Sequence, residues 1–187
     1  MKELNLFPDK NFWDGKNVFI SGHSGFKGGW LSLWLKELGA NVTGYSLEPN
    51  TKPSFYNACD IGSVTNSIFG NILDYKKLES SINKFKPEII IHMAAQALVL
   101  ESYKNPLNTY ETNIIGTLNI LEIIRNKSYV KVFINVTSDK CYENIEKKYS
   151  YKESDRMGGH DPYSSSKGCS ELVTSAYRLS FFNKKNN

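Results

Sequence analysis

The chain has 187 residues, enough for one domain with a real core, and its apolar and charged fractions of 40% and 22% are those of an ordinary globular protein. Its formal net charge of +4 comes from scattered lysines with a C-terminal cluster at Lys184 and Lys185, which argues against a nucleic-acid-binding stripe. No apolar run approaches the ~20 residues of a membrane span, residues 1–16 lack a signal-peptide core, and neither Cys59, Cys141 and Cys169 nor His23, His92 and His160 have metal-like spacing, so free thiols in a reducing cytoplasm are the expectation.

Residues 1–16 read as an N-terminal arm, with Phe12 and Trp13 on the domain edge and Asp14-Gly15 turning the chain into the first strand. Val18-Phe19-Ile20 is apolar and rich in β-branched residues, as a buried strand requires. Three glycines follow, Gly22, Gly25 and Gly28, and then Trp30, Leu31, Trp34, Leu35 and Leu38 recur at helical spacing until Gly39. Strand, glycine-rich turn and helix is the arrangement that holds a dinucleotide pyrophosphate. Glycine lets the backbone approach the phosphates, and the first-turn N–H groups and the helix dipole attract the anion. The spacing G-x-x-G-x-x-G differs from the G-x-G-x-x-G fingerprint, and a glycine-rich turn that binds nothing would look similar.

Asn41 to Ser46 reads as a second strand, 47–60 with Pro49 and Pro53 as a loop, and Ser67-Ile68-Phe69-Gly70 as a short strand. Asp74 suits an N-cap, with Tyr75, Leu78, Ile82 and Phe85 along one helical face before Pro87. Glu88 to Met93 is a strong buried strand. A long helix lies within 101–126, with Pro106 near its start and Tyr110, Ile114, Leu118, Leu121 and Ile124 along it. Val130 to Val136 is a further strand, and 162–182 is a last helix opened by Pro162 and followed by a polar tail. Strands alternating with helices predict an α/β fold with a doubly wound parallel sheet, Rossmann-like, left unfinished on its C-terminal side.

Three further stretches carry chemistry. Tyr163 and Lys167 form a Y-x-x-x-K, which on a helix puts an ammonium beside a phenol and favours the phenolate, although such spacings are also common on helix surfaces. Thr137-Ser138-Asp139-Lys140-Cys141-Tyr142 leaves the end of a strand, where ligands of open α/β sheets bind; an ordinary polar turn would read the same. His92-Met93-Ala94-Ala95-Gln96 ends another strand with small residues that let a flat group approach the backbone.

Together, Gly22-x-x-Gly25-x-x-Gly28, His92-Met93-Ala94-Ala95-Gln96, Thr112-Asn113-Ile114-Ile115-Gly116-Thr117 and Tyr163-x-x-x-Lys167 resemble the motifs of the extended short-chain dehydrogenase/reductase family. The stretches from Gly22 to Leu35, Thr137 to Asn144 and Met157 to Ser164 bring the resemblance closer to that family's nucleotide-sugar 4,6-dehydratases. The similarity runs from about Lys10 to Asn183. The family continues into further strands and a C-terminal sugar-nucleotide domain, so residues 1–187 are expected to be a truncated NAD-binding domain that does not turn over substrate alone.

The resemblance implies NAD as cofactor and CDP-glucose as substrate. Cofactor contacts would fall on Gly22, Ser24, Gly25, Phe26, Lys27, Gly28, Asn71, Ile72, Ala94, Ala95, Gln96, Asn113, Tyr163 and Lys167. Tyr163 would take the proton of the sugar C4 hydroxyl, Lys167 would hold the nicotinamide ribose, and Ser138 would bond the C4 oxygen. Related enzymes use an Asp-Glu pair to eliminate water across C5–C6. Here the pair is Asp139-Lys140, with Asp139 as acid for the C6 hydroxyl and Lys140, desolvated in a pocket, as base for C5–H. The second strand ends Tyr45-Ser46-Leu47-Glu48 without arginine, which favours NAD over NADP, and Asn71 stands where the family has an aspartate against adenine. The family also pairs the helices near 101–126 and 162–182 in a homodimer, which would bury Ile114, Leu118, Leu121, Leu172, Ala176 and Leu179. Two alternatives remain at this stage: an epimerase or reductase on the same scaffold, which gives no reason for Asp139-Lys140, and a catalytically silent nucleotide-binding or assembly module.

Overall fold

Val18-Phe19-Ile20 and Ile89-Ile90-Ile91 lie side by side at the centre of a five-stranded parallel sheet of order β3-β2-β1-β4-β5. The computed structural model describes residues 8–146 and 148–183, so the start of the expected N-terminal arm and the lysines Lys184 and Lys185 lie outside the described residues. In chain order the elements are α1 (Lys10–Trp13), β1 (Asn17–Ser21), α2 (Phe26–Glu37), β2 (Asn41–Ser46), α3 (Phe55–Ala58), α4 (Ile61–Val64), β3 (Asn66–Phe69), α5 (Tyr75–Phe85), β4 (Ile89–His92), α6 (Val99–Lys104), α7 (Pro106–Tyr110), α8 (Gly116–Ile124), β5 (Val132–Asn135) and α9 (Pro162–Tyr177). The fold is the expected Rossmann-like one, and β1 is central rather than at an edge.

Side chains of β1 alternate between two cores, as the period of a strand requires. Val18 and Ile20 join Val42, Ile89, Ile91, Ala40 and Leu35 under α2, while Phe19 joins Tyr45, Ile90, Leu78, Ile82 and Ile120 under α5 and α8. The Asp74 carboxylate caps α5 by accepting from the Lys77 N–H at 3.1 Å, as its position predicted.

Four expectations need correction. Only part of the apolar set read on α2 is buried: Leu35 is in the core and Leu31 packs against it. Gly28, Gly29, Ser32 and Leu35 are buried, whereas Trp30 and Trp34 are 55% and 54% exposed, and Trp30 stacks on Phe55. A helix pressed onto a strand–turn backbone needs small residues at the contact, which here are Gly28, Gly29 and Ser32, so Trp30 and Trp34 face out. The loop 47–60 contains a helical turn, α3, capped by the Ser54 hydroxyl. The helix within 101–126 is not one rod. Asn105 breaks it from α6, Pro106 starts α7, and a π-helical segment, Glu111–Ile115, joins α7 to α8. Leu121, expected on a dimer face, is fully buried within the chain's own core; Leu172 and Leu179 are exposed as expected. The last helix lies alongside α6, α7 and α8, and a second π segment, Arg178–Phe182, extends it.

β5 is one of the two edge strands, with Val132 40% and Ile134 44% exposed. A cleft of about 620 Å³ runs past its amino end, lined by Lys127, Val132, Phe133, Arg178 and Phe181. It lies away from the carboxyl edge of the sheet, where β1, β4 and β5 end in register at Ser21, His92 and Asn135.

Gly28 fixes how α2 sits on that edge, because a Cβ there would run into the Gly22 carbonyl and into His23 Cα, which would be 2.9 Å away. Both are backbone and cannot turn aside. Gly28→Ala is expected to lower stability by about 2–3 kcal/mol, read as a lower urea midpoint with an unchanged slope; an unchanged midpoint would mean that α2 docks more loosely than described.

Candidate active site

The chain leaves β1 through Gly22, whose φ of +83° is left-handed and whose missing Cβ leaves room for the Ala94 nitrogen, which would lie 2.7 Å from it. The Gly25 N–H returns to the Gly22 carbonyl at 3.2 Å, and Gly25 is then the N-cap of α2. No side chain caps this helix. The N–H groups of Phe26, Lys27 and Gly28 therefore form a first turn suited to an anion. Phe26 and Lys27 are exposed, and the Ser24 hydroxyl donates to the Leu47 carbonyl at 2.8 Å, drawing the segment after β2 toward the loop.

Around this turn stand the other expected cofactor residues. Asn71 is exposed after β3; its side-chain oxygen accepts from the Leu73 N–H at 2.9 Å. The Ile72 side chain is core, packed against Gly116. Ala94 and Ala95 are half-buried after β4. Gln96 and Asn113 are committed inward: the Asn113 amide accepts from Gln96 N–H at 2.8 Å and donates to the Gln96 carbonyl and the Ser166 hydroxyl, while the Gln96 amide bonds Leu98 and Thr109. These two amides shape the β4 loop, so contacts from this loop to a ligand fall to backbone and alanine.

On the other side, β5 runs into Ser138 and a 3₁₀ turn, Asp139–Cys141. The Ser138 hydroxyl caps that turn, accepting from Lys140 N–H at 3.2 Å and donating to the Asp139 carboxylate at 3.1 Å. α9 begins beside it at Pro162, capped by the Asp161 carboxylate, which accepts from Ser164 N–H at 2.9 Å. Burial works against ionising Asp161, but the bonds from Ser164 and the nearby Lys140 hold its carboxyl below the usual range. Asp139, Lys140, Tyr142, Tyr151, His160 and Asp161 line a pocket of about 230 Å³, with the rings of Tyr142 and Tyr151 stacked 5.0 Å apart.

Tyr163 is half-buried in the first turn of α9 and Lys167 follows one turn later, buried, with its ammonium on the Val136 carbonyl at 3.3 Å. Burial pushes the Lys167 pKa down to about 8, opposed in part by Glu171. The desolvated lysine of this region is thus Lys167 and not Lys140, which is exposed. Lys140 makes no ion pair among the described residues; Glu143 pairs with Arg156 instead, at 3.6 Å. The structure therefore brings Ser138, Asp139, Lys140, Tyr163 and Lys167 to one end of the sheet, with the first three on one turn and the last two on the helix beside it.

Sequence reasoning missed the buried polar side chains behind these groups. His23 sits between Ser46 Oγ at 3.0 Å and Ser67 Oγ at 2.9 Å. His92 sits between Ser21 Oγ and Thr117 Oγ1, and Thr117 meets Ser170 on α9. Both histidines fall inside stretches already singled out, but nothing in the sequence signals their serine and threonine partners. Among the described residues no buried side-chain nitrogen or oxygen lacks a partner.

A family model described as GDP-mannose 4,6 dehydratase matches residues 19–183. A relative from Salmonella typhimurium, "CDP-glucose 4,6-dehydratase", is 54% identical over 178 residues, which are 95% of this chain and 50% of that protein. The "dTDP-D-glucose 4,6-dehydratase" of Dictyostelium discoideum is 31% identical over 89% of this chain and 41% of its own length. Among solved structures, UDP-glucose 4-epimerase of Thermotoga maritima with UDP-glucose superposes with a TM-score of 0.78 at 26% identity, over 89% of this chain and 52% of that one. The chain thus spans about half the length of the relatives it matches.

The two interior histidines make stability depend on pH. Burial lowers His23 to about 4 and His92 to about 3, the latter with help from Lys167. Both lie below the unfolded value of about 6.5, so below that pH the unfolded chain binds more protons and stability falls as pH falls. Lys167 is protonated in both states over this range and adds no slope. Between pH 7 and pH 5 the two sites together are expected to remove about 3–4 kcal/mol, measured by urea unfolding at each pH. A flat profile would show that both rings are hydrated, and a loss of about half that size that one of them is.

Proposed function

The chain belongs to the GDP-mannose 4,6 dehydratase family, and from that premise we propose that it is the cofactor-binding and proton-handling half of an NAD-dependent CDP-glucose 4,6-dehydratase. The observation that carries this reading is the gathering of Ser138, Asp139 and Lys140 on the turn after β5, against the helix that bears Tyr163 and Lys167. An epimerase needs the tyrosine, the lysine and the serine, but has no use for an acid and an amine on that turn.

The residues present suit NAD. The uncapped first turn of α2 and the Cβ-free floor at Gly22 and Gly28 would take the pyrophosphate. The Ala94-Ala95 backbone would flank the nicotinamide side, and Lys167 would hold its ribose. When bound, NAD would supply the acceptor for the hydride of sugar C4 and the donor for its return to C6. Tyr163 takes the proton of the C4 hydroxyl, and Ser138 turns its hydroxyl from the Asp139 carboxylate to the C4 oxygen. The 4-keto group acidifies C5–H. Lys140 would be the base for that proton and Asp139 the acid that gives a proton to the departing C6 hydroxyl, which leaves as water. Lys140 is exposed in this chain, so its service as a base depends on cover from the substrate and from the part of the relatives beyond this match.

The same reading includes a homodimer through α9 and the helices of 106–124, where Leu107, Ile115, Leu172 and Leu179 are exposed. The site is not expected to engage nucleic acid, and among the described residues no helix is long and apolar enough to cross a membrane.

Calorimetric titration of NAD into the 187-residue chain should show saturable binding that Lys167→Ala weakens, with no sugar product formed by this chain alone. In a chimera continued by the remaining half of the Salmonella typhimurium relative, Asp139→Asn should keep the reduced-nicotinamide absorbance but slow dehydration by ~10²–10⁴-fold, and Tyr163→Phe should abolish both. Dehydration at full rate by the Asp139→Asn chimera would return the site to an epimerase-like chemistry.

A further inference from the structure

Ser21 at the end of β1, His92 at the end of β4 and Thr117 in α8 are buried, and their side chains stand in a row. Ser21 Oγ is 2.6 Å from His92 Nδ1, and His92 Nε2 is 3.1 Å from Thr117 Oγ1. Counting donors and acceptors places the protons. Ser21 Oγ accepts the Ala94 N–H at 3.2 Å and shares the Met93 N–H, at 3.1 Å, with the Ser21 carbonyl. Among the described residues, the hydroxyl proton of Ser21 has one acceptor, His92 Nδ1. That nitrogen is therefore bare, and Nε2 carries the proton.

The far end of the row gives the same answer. The Thr117 O–H donates to the Asn113 carbonyl at 2.8 Å, so its oxygen is free to accept from His92 Nε2 and from the Ser170 hydroxyl, 3.0 Å away. Ser170 Oγ accepts in turn from the Asn135 amide at 2.9 Å, and that amide also reaches Thr174 Oγ1 at 2.9 Å. The opposite tautomer would leave the Ser21 hydroxyl proton without an acceptor in the core. An imidazolium would do the same, and it would also face the Lys167 ammonium, the charged group that acts on this ring.

We infer that His92 is a positioning residue: as the neutral Nε2–H tautomer it ties the ends of β1 and β4, the floor of the proposed cofactor seat, to α9, the helix that carries Tyr163 and Lys167. The duties of Tyr163 and Lys167 rest on the function proposed above; the tautomer and the tie do not. His92 joins the ends of β1 and β4 to Thr117 on α8, and Thr117 meets Ser170 on α9, so removing the ring takes away one of the ties between that helix and the strands rather than emptying an isolated site.

Long-range ¹H–¹⁵N spectra of the ¹⁵N-labelled chain should show His92 protonated at Nε2 and bare at Nδ1 from about pH 8 to about pH 5.5. Side-chain NMR titration of Lys167 then reads the tie. His92→Gln keeps an amide donor for Thr117 and should leave the Lys167 titration in place. His92→Leu removes the donor, lets water reach the ammonium as α9 loosens, and should raise the Lys167 midpoint by about one pH unit or more. An Nδ1–H tautomer or an imidazolium in that range would overturn the inference, as would Leu and Gln variants with the same Lys167 titration. Should His92→Leu not fold, the tautomer of the unmutated chain still decides. Failure to bind NAD would sink the proposed function and leave these two readouts standing.

Discussion

The contact on which the rest of this structure depends is one of backbone against backbone, where α2 at Gly28 meets the carbonyl of Gly22. No side chain intervenes. The helix can therefore start immediately above the end of β1, and its first turn opens over the crevice between β1 and β4. Strand order reverses at that crevice, since β2 and β3 lie to one side of β1 and β4 and β5 to the other. The opposite side of the crevice is built by different means. There a helix bearing serines, threonine and lysine is held against strand ends by hydrogen bonds, with the Lys167 ammonium on the Val136 carbonyl at its rim.

These two modes of packing differ in what they fix. The apolar clusters under α2 and under α5 and α8 set distance, because burial of area is not directional. The polar row through Ser21, His92, Thr117 and Ser170 sets register, because each donor must find its acceptor. A slip of α9 by one residue would leave several of these groups unpaired in the interior. For the chemistry proposed here, which moves protons between fixed oxygens and nitrogens, register is the property that matters.

Much of the frame was legible in the amino-acid order. Val18-Phe19-Ile20 and Ile89-Ile90-Ile91 announced buried parallel strands, Asp74 announced its helix, and the three glycines announced the turn. The errors share a physical cause. Trp30 and Trp34 match a helical period but face outward, since a helix that touches backbone must turn its small residues inward. On α9 the polar Ser164, Ser166 and Ser170 are buried, and Thr174 bonds Asn135. Periodicity detects which residues share a face, but only tertiary partners decide whether that face is wet. Of the site itself, the placement of Ser138, Asp139, Lys140, Tyr163 and Lys167 at one edge could be anticipated. Which lysine is desolvated could not, because that depends on what α9 packs against.

The exposed aromatic face of α2 has an optical consequence. All three tryptophans of the chain, Trp13, Trp30 and Trp34, lie on α1 and α2. Trp13 packs against the core cluster under α2, and Trp30 and Trp34 stand half in water on α2, the helix that follows the glycine loop. Indole emission from this protein therefore comes entirely from the β1–α2 side. It would follow events at the glycine turn and α2 rather than at α9, whose fluorescent side chains are tyrosines alone.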